Sequence, residues 1–136
     1  MRVSIGIGGA ASGRKRDFHE QVDYVVEAEN LGVDAVWSAE AWGQDAISPL
    51  AYLAARTSRI RLGTGIMQIR ARVPAMIAMT ALTMASISND RFILGLGASG
   101  PQVVEGLQGR PFKGPLTRMK ETVEIIKLAF AGEKIE

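Results

Sequence analysis

The feature that most constrains this chain is a period: short apolar runs alternate with longer amphipathic ones, four times over. The runs occupy residues 3–8, 33–38, 59–67 and 91–97. A helix is expected from Asp17, which forms an N-cap and capping-box pair with Glu20. Its apolar face is Phe18, Val22, Val25 and Val26, and Gly32 stops it. Ser48-Pro49 reads as an N-cap followed by proline at the first helical position, opening a helix through Leu50, Leu53 and Ala54. Pro74 opens a third helix, with Met76, Met79 and Met84 expected in the core, ending near Ser88-Asn89-Asp90. In the last helix Leu116, Met119, Val123, Ile126 and Phe130 step by three and four, with Gly132 behind them. Nearly all-apolar strands separated by helices predict a parallel sheet buried on both faces, an α/β fold of four parallel βα units. No linker or compositional break interrupts residues 1–136, so one domain is expected.

Composition removes several function classes. The 136 residues suffice for one compact core, and 47% hydrophobic with 22% charged residues is ordinary for a globular protein. No apolar stretch approaches the roughly 20 residues of a membrane span, so no membrane partner is expected. The absence of cysteine excludes disulfides, thiolate metal sites and cysteine nucleophiles, and fits a cytoplasmic enzyme. A net charge of +2 is too small to argue for nucleic acid. The single histidine, His19, argues against a histidine-rich metal site or a Ser-His-Asp triad; it reads as a solvated residue of the first helix.

Gly95-Leu96-Gly97-Ala98-Ser99-Gly100 matches G-x-G-x-x-G, the dinucleotide-binding fingerprint. In that fold the glycine turn passes straight into a helix whose N-terminus meets the pyrophosphate. Here Pro101, Gly106, Gly109, Pro111, Gly114 and Pro115 come next, among which a helix is not expected to start, and no acid ends a next strand about 20 residues on. The fingerprint is therefore rejected. What remains is a small-residue strand end and then a connection of about 17 residues, a length usually functional or disordered. Leu62-Gly63-Thr64-Gly65-Ile66-Met67 repeats the feature one strand earlier. Late glycines indicate close approach of a flat ligand or another backbone, or else tight packing inside a barrel; their coincidence on neighbouring strands favours a ligand site at the carboxyl ends.

The chain resembles the bacterial-luciferase-like family of (β/α)8 barrels, and within it the oxidoreductases that use the deazaflavin coenzyme F420, including methylenetetrahydromethanopterin reductase-like enzymes. The resemblance is carried by Val36-Trp37-Ser38-Ala39-Glu40, by residues 55–66 from Ala55-Arg56-Thr57 to Gly65-Ile66, and by Asp90-Arg91-Phe92-Ile93-Leu94-Gly95-Leu96-Gly97. Ser99-Gly100-Pro101-Gln102-Val103-Val104-Glu105-Gly106 points to the F420 branch rather than the flavin mononucleotide (FMN) branch. Since such barrels have eight strands, the resemblance implies a TIM-barrel N-terminal half. The preferred reading is a fragment missing its C-terminal half; the alternative is a homo-oligomer of self-pairing half-barrels. A lone four-stranded sheet of this kind is expected to expose the apolar inner face of every strand.

The resemblance also implies roles. Glu40, at the end of the second strand, matches an acid beside the deazaflavin and is the candidate catalytic residue as well as a cofactor ligand. Ala41 stands where some relatives carry a proton-donating histidine. Gly65-Ile66 matches a bulge that commonly holds a non-proline cis peptide against the ring, with Thr64 beside it. Gly97, Ala98 and Ser99 are placed at the ring or its ribityl chain, with Gln102 and Val103 on the same wall. Trp42 either walls a substrate cavity or covers the barrel end. Arg14, Lys15, Arg16, Arg70, Arg72, Arg110 and Lys113 lie on βα loops, apt for the phosphate and glutamate tail of F420. The implied activity is hydride transfer between F420 and a small organic substrate. The alternatives are an FMN-dependent monooxygenase and a catalytically silent half-barrel.

Overall fold

The computed structural model describes residues 1–8 and 17–135; Arg14, Lys15 and Arg16 of the expected basic rim lie outside them. Four parallel strands, β1 (Ser4–Gly8), β2 (Ala35–Ala39), β3 (Arg61–Thr64) and β5 (Phe92–Ile93), form one sheet in the order β1-β2-β3-β5. The order is that of the sequence, as a barrel half requires. The third and fourth apolar runs are not single strands. The third breaks after Thr64, where the Gly65–Ile66 peptide is cis, and resumes as β4 (Met67–Gln68). The fourth breaks at Leu94-Gly95 and resumes as β6 (Leu96–Gly97), which pairs in parallel with β4. The Thr64 hydroxyl bridges the two breaks, donating to the Gly95 carbonyl and accepting from the Gly95 N–H, each at 2.8 Å.

The helices α1 (Phe18–Asn30), α2 (Ile47–Arg56), α3 (Pro74–Ile87) and α5 (Pro115–Ala131) come after the strands in turn. Asp17 is the N-cap of α1 and accepts from the His19 N–H at 3.0 Å, as expected. Ser48 is not the cap of α2. The helix begins two residues earlier than expected, at Ile47, and the Asp45 carboxylate accepts from the N–H groups of Ile47 and Ser48, both at 2.9 Å. One carboxylate oxygen thus meets two of the free first-turn donors, which a single serine hydroxyl at position 48 cannot reach. A short helix, α4 (Pro101–Val104), does start directly behind Gly100. Proline at its first position lacks only an N–H that needs no partner there.

Alternation across the sheet sorts its side chains. Ile5, Val36, Leu62 and Phe92 share one register row and pack into the helix-side core with Val22 and Val25 of α1, Leu50 and Leu53 of α2, and Met84 of α3. The next row is Gly6, Trp37, Gly63 and Ile93 on the opposite face. There the Trp37 indole packs against Gly63: a Cβ at that glycine would stand 2.4 Å from two ring carbons. This row therefore sets two glycines beside one indole and Ile93, rather than a large apolar side chain on every strand. A second cluster joins Met67 to Ile77 and Ala78 of α3 and Ile126 of α5.

The expected core position of all three methionines holds only for Met84. Helix α3 carries no charged residue, and its outer face exposes Met76, Met79, Leu82 and Ile87 by about half each. Of the last helix's apolar stripe, Ile126 is buried while Leu116 and Phe130 are exposed. At the amino ends of the strands, the Arg91 guanidinium donates to the carbonyls of Ala54, Thr57, Ile60 and Ser88 and to the Thr57 hydroxyl, at 2.8–3.0 Å. It closes the C-terminus of α2, whose last carbonyls lack helical partners. Nearby, the Glu29 carboxylate, at 7% exposure, accepts from the N–H groups of Ser58, Arg59 and Ile60.

Candidate active site at the carboxyl ends of the strands

Chain direction brings the expected residues to one end. Glu40 lies just past β2, Gly65 and Ile66 just past β3, and Gly97 ends β6 with Ala98 and Ser99 just past it; Gly97 sits against Ile66. Glu40 is the most constrained of them. Its side chain is 9% exposed and forms a two-oxygen ion pair with Arg72, at 2.6 and 2.8 Å. Oε2 also accepts from the Gln68 N–H at 2.9 Å. A carboxylate offers about four lone-pair sites, so three contacts leave room for about one more donor. Pairing with Glu40, the largest effect, raises the Arg72 guanidinium above its ordinary range against the opposing effect of burial. Arg72 is thus committed to an internal partner, and Arg70 donates to the carbonyls of Pro111 and Lys113.

Behind Glu40 stands Gln68, 1% exposed, whose amide nitrogen donates to the Glu40 carbonyl at 2.7 Å and whose amide oxygen accepts from Gln108. Sequence reasoning passed over Gln68 and Gln108. The signal for the first was a lone polar residue amid Ile66, Met67 and Ile69, since a buried amide in an apolar strand must find partners. Asp45 completes the acidic edge. Burial acts to raise its carboxyl, but hydrogen bonds from Ser48 and Ile47 and the Arg72 charge hold it below the ordinary range.

The glycines answer to their neighbours. A Cβ at Gly95 would stand 2.0 Å from the Thr64 carbonyl oxygen, and one at Gly97 would stand 2.6 Å from Ile66 Cγ1. Close approach of β3, β4 and their connection requires glycine at both positions. The half-buried Ile66 side chain lies over Gly97, forming an apolar shelf beside the backbone of Ala98 and Ser99. Ser99 is exposed in the left-handed region, φ 59°. Gln102 and Val103 lie on α4, the first exposed and the second half-buried. Thr64, at 1% exposure, spends its hydroxyl on Gly95.

A cavity of about 300 Å³ opens between the β2–α2 loop, the β4 end and the segment after α4, lined by Glu40, Trp42, Gln44, Gln68, Leu107 and Gln108 among others. Trp42 is half-exposed at its wall, with its ring tip over Gly106. No helix among the described residues is long and apolar enough to cross a membrane.

Four parallel βα units in sequence order, with small residues, one pinned carboxylate and an adjoining cavity at the carboxyl ends of the strands, form a parallel α/β fold like half of a (β/α)8 barrel. The profile of the luciferase-like monooxygenase family matches residues 2–136, and the chain belongs to that family. It is 50% identical over 111 residues to a Mycobacterium tuberculosis protein provisionally named a coenzyme F420-dependent oxidoreductase, covering 82% of this chain and 32% of that protein. It is 37% identical over 113 residues to the 5,10-methylenetetrahydromethanopterin reductase of Methanolobus tindarius, covering 82% and 34%. The chain therefore spans about a third of these relatives. In structure it is similar to the coenzyme F420-dependent tetrahydromethanopterin reductase of Methanopyrus kandleri, with TM-score 0.80, 23% identity and coverage of 93% and 39%. It is similar also to the FMN-bound oxygenating constituent of 3,6-diketocamphane monooxygenase from Pseudomonas putida, with TM-score 0.87, 20% identity and coverage of 99% and 42%.

Proposed function

We propose that this chain is the N-terminal half of an F420-dependent oxidoreductase that moves a hydride between the deazaflavin and a small organic substrate. The observation that carries the reading is the Glu40 carboxylate, fixed by Arg72 and the Gln68 N–H beside the Gly65–Ile66 break and retaining room for about one further donor. F420-dependent relatives support the deazaflavin over FMN. The residues present fit a planar ring. Glu40 would accept from it, Ile66, packed over Gly97, would offer it an apolar shelf, and the small residues Gly97 and Ala98 would let backbone groups approach it. Ser99, Gln102 and Val103 flank the same end, and Thr64 acts by holding the two strand breaks together.

When bound, F420 supplies the hydride chemistry, and the protein supplies orientation and electrostatics. Glu40, ion-paired at both oxygens, would serve as a fixed hydrogen-bond acceptor, and the Ala41 side chain carries no acidic proton. The apolar shelf of Ile66 would keep water from a group bound against it. Much of the pocket is expected from the C-terminal half.

The test is a spectroscopic titration of the chain, alone and with a supplied C-terminal half, using F420 and FMN. F420 binding by the reconstituted barrel, weakened about tenfold by Glu40→Gln, is expected from loss of one charge-assisted hydrogen bond. Tighter binding of FMN, with dioxygen consumption, would establish the monooxygenase reading that the FMN-bound structural neighbour favours. Binding of neither would leave the silent half-barrel.

A further inference from the structure

Glu40 and Gln68 are joined twice. The Gln68 N–H donates to Glu40 Oε2 at 2.9 Å, and the Gln68 side-chain nitrogen donates to the Glu40 carbonyl at 2.7 Å. One residue thus fixes both the carboxylate and the backbone that carries it. The Arg72 guanidinium, on a long side chain at 20% exposure, can follow a carboxylate that turns. The Gln68 N–H cannot, because β4 is tied to β6 on either side of it, by the Met67 N–H to the Gly95 carbonyl and the Ile69 N–H to the Gly97 carbonyl. The direction of the carboxylate is therefore set from position 68.

The Gln68 amide is in turn oriented from another wall of the cavity. The Glu40 carbonyl can only accept, so the amide faces it with nitrogen and presents its oxygen to Gln108, which donates through its own nitrogen. Turning the Gln68 amide over would set like atoms against each other at both contacts. Gln108 belongs to the segment after α4 that lines the cavity with Leu107, and Arg70 ties that segment down at the Pro111 and Lys113 carbonyls. Stability does not account for an amide at position 108. Its oxygen is buried with no partner among the described residues, a cost that an apolar side chain of similar length avoids.

We infer that Gln68 is a positioning residue for Glu40 and that Gln108 acts on Glu40 through it, so that the aim of the carboxylate depends on the seating of the segment 105–113. With that segment seated, the Gln68 amide has one orientation and both holds on Glu40 are made; with it displaced, the amide is free to turn and the hold on the Glu40 carbonyl is released. This deepens the proposed function and rests on it only in naming the deazaflavin as what Glu40 meets.

The experiment reads the full chain by NMR with 13C-labelled glutamate, the Glu40 carboxylate signal being the one lost in Glu40→Gln. Gln108→Met trades one buried unpaired oxygen, its own, for another, that of Gln68. The urea midpoint should therefore stay close to wild type while the Glu40 carboxylate and Gln68 NH2 signals both shift. With Gln68→Met already in place, Gln108→Met should leave the Glu40 signal where it is, the non-additivity of a single route. An unmoved Glu40 signal in Gln108→Met overturns the inference, as does an equal shift in the Gln68→Met background. Should Gln68→Met lose its folded backbone spectrum, the Gln68 NH2 signal in Gln108→Met decides: moving with Glu40 it supports the relay, and unmoved while Glu40 shifts it overturns it. In the barrel reconstituted with a supplied C-terminal half, Gln108→Met should weaken F420 several-fold, less than Glu40→Gln does, and add nothing to that variant. F420 bound equally by wild type and Gln108→Met overturns the inference. F420 not bound by wild type removes only the proposed cofactor, and the carboxylate signals, read without coenzyme, still judge the relay.

Discussion

Replacing Glu29 by alanine removes the acceptor of three backbone N–H groups at the turn into β3. Glu29 Oε1 receives Ser58, Arg59 and Ile60 at 3.0, 2.6 and 2.8 Å. Ser58 and Arg59 are exposed and recover water, whereas Ile60 is 1% exposed and keeps an orphaned donor. One orphaned donor plus two exchanged charge-assisted bonds sum to about 3 kcal/mol. Glu29→Gln retains a carbonyl oxygen and should cost about 1–2 kcal/mol. Burial, the largest single influence, pushes the Glu29 carboxyl up, but the N–H groups of Ile60, Arg59 and Ser58 and the Arg59 charge outweigh it and hold it below its ordinary value of 4.5. A carboxyl lowered by folding stabilises fully above its unfolded value and ceases to do so as pH falls through the folded one. Urea denaturation at neutral pH should therefore separate wild type from both variants, and the separation should shrink in acid. An unchanged midpoint for Glu29→Ala, or a gap to Glu29→Gln that does not shrink in acid, would refute the reasoning.

Gly63→Ala should lower stability by about 1–3 kcal/mol by overpacking against the Trp37 indole, and Trp37→Leu should relieve it; additive losses in a thermal double-mutant cycle would contradict the contact. Thr64→Val should cost about 1–3 kcal/mol by removing both hydroxyl bonds to Gly95, read from urea unfolding.

The strand–helix alternation was legible because a buried parallel strand and an amphipathic helix impose different periods on the same chain. The breaks in the third and fourth runs were not, because Thr64, Gly65 and Gly95 suit a continuous strand and a broken one equally until the Thr64 hydroxyl is seen bonded to Gly95. The α2 cap was misread because Ser48-Pro49 imitates a helix start, while Asp45 reaches the same donors from farther upstream. The outer face of α3 carries no polar stripe, so its methionines gave no signal of which side they take. Glu40 could be singled out from its strand-end position and the family resemblance. Its pairing with Gln68 and Arg72 could not, since they lie 28 and 32 residues away, distances over which pattern carries no pairing information.

The stretch from Arg91 to Gly97, one of those that carry the family likeness, divides between two tasks at opposite ends of the barrel. Its arginine ties down the floor, clasping four carbonyls and a hydroxyl, while its last glycine makes room at the rim. A match confined to this segment therefore transmits scaffold and says little about chemistry.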